Sequence, residues 1–116
     1  MEIIGTEEFE VWFLDLDQKD AEAVDLVVGL LEEKGVALGM PYSSAIRGSK
    51  CSMRELRIQS RRRPLRVLYA FDPLRQAVLL IGGDKTGDDR FYETYVPRAE
   101  RIWSEYLADL NRETER

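Results

Sequence analysis

The sequence predicts an α+β fold: a small curved, mainly antiparallel sheet with an N-terminal helical hairpin and a C-terminal helix, in the order β-α-α-β-β-β-α. Three observations carry that prediction. Residues 54–71, RELRIQSRRRPLRVLYAF, read as a hairpin with alternating arms. Residues 76–81, QAVLLI, are almost wholly apolar, as in a strand covered on both faces. Residues 9–16, 21–31 and 99–110 space their apolar side chains at the helical period.

Taken in order, Glu2-Ile3-Ile4 is a short strand closed by Gly5. Thr6 is placed as the N-cap of a first helix, with Glu7 and Glu8 in its first turn, where carboxylates favour the helix dipole. Phe9, Trp12, Phe13 and Leu16 share one face and are expected in the core. Asp17 can cap a second helix with the seam Ala21, Val24, Val28 and Leu31, and Gly35 is placed to end it. Its outer face carries Asp20, Glu22, Asp25, Glu32 and Glu33. Gly29 inside it costs about 1 kcal/mol relative to Ala, which points to a close helix contact there. Residues 36–50, with Gly39, Pro41 and Gly48, read as a loop leading to a strand at 52–58. Residues 59–64 are the link to a second strand at 66–71, and residues 72–75, DPLR, are a turn into QAVLLI. Asp88 or Asp89 can cap a short helical turn through Phe91 and Tyr92, before Pro97 opens a longer helix with the face Ala99, Ile102, Trp103, Tyr106, Leu107 and Leu110. Residues 111–116 are polar and expected to fray. One domain over residues 1–116 is expected, with the helices packed on one face of the sheet.

Composition narrows the chemistry. With 116 residues, no histidine and one cysteine, the chain cannot run Ser-His-Asp or Cys-His catalysis or build a His- or Cys-based structural zinc site. Acid-base work would fall to Lys, Arg, Tyr, Asp or Glu. Cys51 has no partner for an internal disulfide and suits a reducing compartment; beside Lys50 and Arg54 but without a catalytic partner, it reads as structural. No apolar run approaches the roughly 18 residues of a membrane span, and the acidic start MEIIGTEEFE lacks a signal peptide's basic region. A cytoplasmic location is expected.

Charge is unevenly spread. Residues 1–46 carry net −9, residues 47–66 carry net +7 and residues 67–116 carry net −3, within a total of −5. The basic block contains Arg47, Lys50, Arg54, Arg57, Arg61, Arg62, Arg63 and Arg66 against Glu55 alone. Such a block in an acidic protein is either a solvated run balancing acidic helices or a local anion site. Arg57 and Arg66 lie inside the two arms of the hairpin. Arginine is costly to bury unpaired, so the pair needs carboxylate partners or lines a surface meant for an anion. Lys85 stands just past the last strand, where functional side chains are often displayed.

The series Leu38-Gly39-x-Pro41, Arg54-Glu55-Leu56-Arg57-Ile58, Leu65-Arg66-Val67-Leu68-Tyr69, Val78-Leu79-Leu80 leading to Lys85-Thr86, and the helix pattern from Ala99 to Leu107 resembles the RelE/ParE toxin superfamily, within it the phage-derived HigB-like group. The resemblance covers nearly the whole chain. It implies a RelE-like fold and a type II toxin: a ribosome-dependent, metal-free mRNA endoribonuclease that inhibits translation, needs no cofactor, and is paired with a HigA-like helix-turn-helix antitoxin. By motif it places Arg57, Arg66 and Lys85 at the scissile phosphate and Tyr92 near the family's C-terminal aromatic. Many relatives have a second Lys where this chain has Thr86, and some use a histidine it lacks.

RNA supplies its own nucleophile, the 2′-OH. The protein must orient the attack, stabilise charge on the phosphoryl oxygens and protonate the leaving 5′-oxygen. The planar fork of arginine suits two phosphate oxygens. Arg57 and Arg66 are therefore the candidate clamp, and Lys85 the acid, base or electrostatic stabiliser. Tyr92 and Tyr69 are candidates for acid-base work or base stacking, with core the preferred place for Tyr69. Arg47, Lys50, Arg54, Arg61, Arg62 and Arg63 are candidates to position the RNA backbone. Glu55 is expected to be a charge partner of the arginines rather than a base. At net −5 the chain should hold free RNA weakly, consistent with presentation of the mRNA by the ribosome. Two alternatives share the fold: a non-catalytic antitoxin-binding module, expected to have its arginines bonded to Asp or Glu, and a ParE-type gyrase inhibitor.

Overall fold

Local capping sets the N-terminal half of the chain. In a computed structural model, which describes residues 1–114, strand β1 (Ile3–Gly5) runs into helix α1 (Glu7–Leu14) through Thr6, whose Oγ1 accepts from Phe9 N at 3.1 Å. Asp17 does the same for helix α2 (Gln18–Lys34), accepting from Asp20 N at 3.0 Å. Each cap satisfies a backbone donor that the first helical turn leaves free. Gly35 ends α2 at φ 56°, in the left-handed region where a Cβ is disfavoured, and its N–H reaches Leu31 O.

A 3₁₀ turn (Gly35–Ala37) leads to strand β2 (Ser43–Ala45), inside the stretch expected to be loop. Three residues are too few for a readable period, and β2 exists only because Ser43 and Ala45 pair with Leu56 and Arg54. Strands β3 (Arg54–Ser60), β4 (Arg63–Phe71) and β5 (Ala77–Asp84) follow. The hairpin link shrinks to Arg61 and Arg62, both at positive φ, so Gln59 and Pro64 pair as strand residues. The sheet order is β1-β5-β4-β3-β2; β1 and β5 are parallel and the other neighbours antiparallel. This is an open, mostly antiparallel sheet with a helix at the C-terminus, the α+β, RelE-like architecture.

The helices cover both faces, not one. On the first, α1 and α2 bring Phe9, Val24, Val27 and Leu31 against Leu56, Ile58, Leu65, Val67, Tyr69 and Leu79. On the second, helix α3 (Phe91–Thr114) brings Phe91, Ala99, Ile102 and Trp103 against Leu68, Ala70, Val78, Leu80 and Ile81. Each fully buried Leu, Ile or Phe contributes about 1.5–3 kcal/mol, so either layer would leave the sheet open and unstable if removed. A bulge opposite Leu68 and Tyr69 lets Leu80 and Ile81 both reach the α3 layer. Gly82 and Gly83 follow it: a Cβ on Gly82 would sit 2.2 Å from the Trp12 ring, and one on Gly83 2.8 Å from Tyr95. The two glycines allow an aromatic ring to close on each side of β5.

Other expectations change. The α2 seam turns to Val24, Val27 and Leu31. Asp20, expected on its outer face, is buried and accepts from Ser60 Oγ at 2.5 Å, with Arg63 also bonded to it. Gly29 has no atom within 4 Å of a would-be Cβ, so no close helix contact explains it. Pro97 lies inside α3 rather than opening it: the helix starts at Phe91, because packing of Phe91 and Tyr95 outweighs the one backbone bond that proline removes. Residues 111–114 of the expected frayed tail belong to α3, and the last two lie outside the described residues. No helix among the described residues is long and apolar enough to cross a membrane.

Candidate active site

Alternation along β3 puts Glu55 and Arg57 on the face away from Leu56 and Ile58, and β4 puts Arg66 on that same face opposite Arg57. Two like charges directly across a strand pair repel, so the pairing needs a counter-charge. Glu55 supplies it. Its Oε2 lies 3.3 Å from Arg57 Nη1, and its Oε1 lies 3.4 Å from Arg66 Nε. Tyr92, in the first turn of α3, donates to Oε1 at 2.6 Å, and Ser44 of β2 donates to Oε2 at 3.0 Å. One buried carboxylate thus gathers groups from four elements.

The arginines differ. The Arg57 side chain is 35% exposed and that of Arg66 only 6%. Arg66 Nη1 donates to Leu65 O at 3.1 Å, while its Nε lies within ion-pair range of Glu55 but is not aligned for a hydrogen bond. A buried guanidinium nitrogen without an acceptor is costly, and its cost falls when an anion reaches it. Beside the pair is a cleft of about 280 Å³ lined by Met40, Pro41, Arg57, Gln59 and Arg66. Its walls combine two cations, an amide and an exposed apolar edge.

Lys85 completes the cluster. Its backbone N–H bonds Pro64 O at 2.8 Å, and its ammonium lies 5.5 Å from the centre of the Tyr92 ring. Burial raises the Tyr92 hydroxyl above its usual range, and the bond to Glu55 raises it further, with Arg66 opposing. At neutral pH Tyr92 is a phenol, a proton donor rather than a base. Arg57, Arg66 and Tyr92 therefore stand together through Glu55, with Lys85 beside the Tyr92 ring.

The remaining candidates disperse. Tyr69 is fully buried on the opposite face, its hydroxyl 2.6 Å from Ser43 Oγ, so no ring face is open to a base. Arg54 points to that same face, its Nε donating to Ser43 Oγ at 3.1 Å, and is not on the surface of Arg57. Arg61 pairs with Asp17 and Asp20, and Arg63 with Asp20 and Asp84, so both are committed to pinning the hairpin tip to α2. Arg62 is exposed at the tip, and Arg47 and Lys50 are exposed in the β2–β3 connection, at the other end of the sheet. Cys51 is partly buried, and burial raises its thiol, as suits a structural residue. Sequence reasoning missed Ser44, which sits in a strand it read as loop, and Met40, Pro41 and Gln59, whose side chains carry no charge signal. Glu55 was visible as the acid two residues from Arg57 on one strand face.

The family model for the phage-derived protein Gp49-like family (DUF891) matches residues 11–104. The chain belongs to that family. It is 39% identical over 107 residues to a Mycobacterium tuberculosis protein that bears the name toxin HigB2, covering 90% of this chain and 53% of that one. It is 37% identical over 110 residues to a protein of the same organism that bears the name toxin HigB3, covering 93% and 95%. The chain thus spans about half the length of the first relative and nearly all of the second. These similarities support a HigB-like toxin.

Proposed function

We propose that this chain is the toxin of a type II toxin–antitoxin pair, a ribosome-dependent endoribonuclease that cuts mRNA and stops translation. The observation that carries the reading is the cross-strand pair Arg57–Arg66 beside an open cleft, with one carboxylate facing two guanidiniums and a buried Arg66 Nε still without a hydrogen-bond partner. Cationic donors are in surplus there, and a phosphodiester is a ligand that uses them.

In this reading the 2′-OH attacks phosphorus, the P–O5′ bond breaks, and a 2′,3′-cyclic phosphate and a 5′-OH result. Arg57 and Arg66 bind the non-bridging oxygens and stabilise the charge that grows on them. Lys85 adds positive charge at the Tyr92 side of the site. Tyr92 stands as proton donor to the leaving 5′-oxygen, the 2′-OH gives its proton to solvent water, and solvent returns a proton to Tyr92. The names of the two relatives support a partner antitoxin, which we take to be HigA-like and helix-turn-helix.

A second reading has its own observation. Arg57, Arg66, Arg61 and Arg63 all contact carboxylates, the arrangement of a non-catalytic antitoxin-binding module. The contacts of Arg57 and Arg66 are long at 3.3 and 3.4 Å, and incomplete, which favours the nuclease. Primer extension on an mRNA in a reconstituted translation reaction, with and without the protein and beside an EDTA-treated ribosome-free control, decides. Cuts that require translating ribosomes support the nuclease; absence of cuts with normal translation refutes it and leaves the module or the gyrase inhibitor, which a DNA supercoiling assay separates.

A further inference from the structure

We propose that Glu55 is a positioning residue that trades affinity for order: it holds Arg57, Arg66 and Tyr92 in their working places while lowering the attraction of the site for phosphate. The inference rests on the nuclease reading and concerns the regulation of that same site. Glu55 is 4% exposed, on β3 beside the middle strand β4. Its tight contacts are to neutral donors, Tyr92 at 2.6 Å and Ser44 at 3.0 Å. Its contacts to the cations are looser, 3.3 Å to Arg57 and 3.4 Å to Arg66.

This geometry has two consequences. The carboxylate is anchored by hydroxyls, so it stays put when the arginines turn toward a ligand, and it keeps one edge of each guanidinium oriented. It also cancels one of the three positive charges of Arg57, Arg66 and Lys85 within the cluster. An incoming phosphate therefore meets a partly neutralised site. Removing the charge while keeping the shape should tighten ground-state binding and at the same time loosen the arrangement that the transition state needs. A residue with a merely structural role gives weaker binding or none when replaced; only the balance described here gives tighter binding with slower turnover.

The test is Glu55→Gln, with Glu55→Asp as the conservative variant. Gln keeps the shape and an oxygen for the Tyr92 hydroxyl, and its NH₂ can donate to the Ser44 oxygen, but it offers the arginines no charge. Affinity is read by NMR titration of the isolated protein with a short single-stranded RNA carrying 2′-O-methyl groups, which cannot be cut. Cleavage is read by the rate of primer-extension stops in the translation reaction. The expected result for Glu55→Gln is on the order of tenfold tighter binding from the lost repulsion. Its log-affinity against log-salt slope should be steeper by about 0.7, one more effective cation on a single strand. Turnover should be on the order of a hundredfold slower, from misplacement of the arginines and Tyr92. Glu55→Asp should recover part of the turnover and return the affinity toward wild type. Unchanged or weaker binding by Glu55→Gln, or unchanged turnover, overturns the proposal. If the wild-type protein cuts and Arg66→Ala does not, such a result removes the role of Glu55 alone. If the wild-type protein makes no cuts, the nuclease reading falls and this inference falls with it.

Discussion

Arg66→Lys separates charge from shape at the candidate site. Arg66 is the most buried cation of the cluster, with a side chain 6% exposed. It divides its donors between Leu65 O at 3.1 Å, the neighbourhood of Glu55 at 3.4 Å, and the cleft. Lysine keeps the charge and can stay near Glu55, but one ammonium cannot also serve the Leu65 carbonyl and two phosphate oxygens. Loss of an oriented donor to developing charge costs about 10²–10³ in turnover, or roughly 3–4 kcal/mol of transition-state stabilisation. Arg66→Lys is therefore expected to cut on the order of a hundredfold more slowly, and Arg66→Ala at least as slowly. Glu55 retains Arg57, Tyr92 and Ser44, so the loss of fold stability in Arg66→Ala stays near about 1–3 kcal/mol rather than the cost of stranding a buried charge. The assay is single-turnover primer extension on translating ribosomes, with urea unfolding run in parallel to certify folded variants. A folded Arg66→Ala protein that cuts at the wild-type rate refutes the clamp. A fully active Arg66→Lys protein refutes the argument from the guanidinium fork.

Three further predictions concern the frame around the site. Gly82→Ala places a methyl 2.2 Å from the Trp12 ring, and should destabilise the fold by about 1–3 kcal/mol or more, read as a lower urea midpoint; a midpoint equal to wild type would show that Trp12 moves freely. Gly29→Ala meets nothing within 4 Å inside α2 and should stabilise by about 0.5–1 kcal/mol, visible as a higher melting temperature; a lower one would mean that Gly29 has a packing role. The Ser60 hydroxyl, then Arg63 and Arg61, hold the Asp20 carboxyl below its usual range against the opposing effect of burial. A depressed carboxylate adds stability that is present above its unfolded pKa of about 3.9 and is lost as pH falls through the folded value. Asp20→Asn should therefore lower stability at pH 7 and flatten the loss between about pH 4 and 2, and an acid arm parallel to wild type would contradict this.

Much of the frame is legible in the chain itself, because it rests on local rules. Thr6 and Asp17 cap their helices and Gly35 stops α2 through contacts within a few residues. The alternation of Leu56 and Ile58 with Glu55 and Arg57 decides which side chains share a face before any partner strand is known. What depends on distant neighbours is not legible. Strand β2 has no period of its own and exists through β3. Whether helices cover one face of the sheet or both depends on where α3 crosses, and the Gly82-Gly83 step that admits rings from both sides looks in sequence like a turn. Asp20 looks solvent-facing on its helix and is buried because the β3–β4 tip folds onto it.

The candidate site divides the same way. The chain alone places Arg57 and Arg66 inside a hairpin and Lys85 after the last strand, and leaves no histidine to take part. Folding then sets Arg57 directly opposite Arg66, converges Tyr92 and Ser44 with them on Glu55, and turns Tyr69 and Arg54 to the other face. The physical reason is register. A strand carries its two faces in its own alternation, but a one-residue shift in pairing would reverse every partner. The register of β3 on β4, and the crossing of α3 over β4 and β5, are settled by the packing of the two cores rather than by any segment alone.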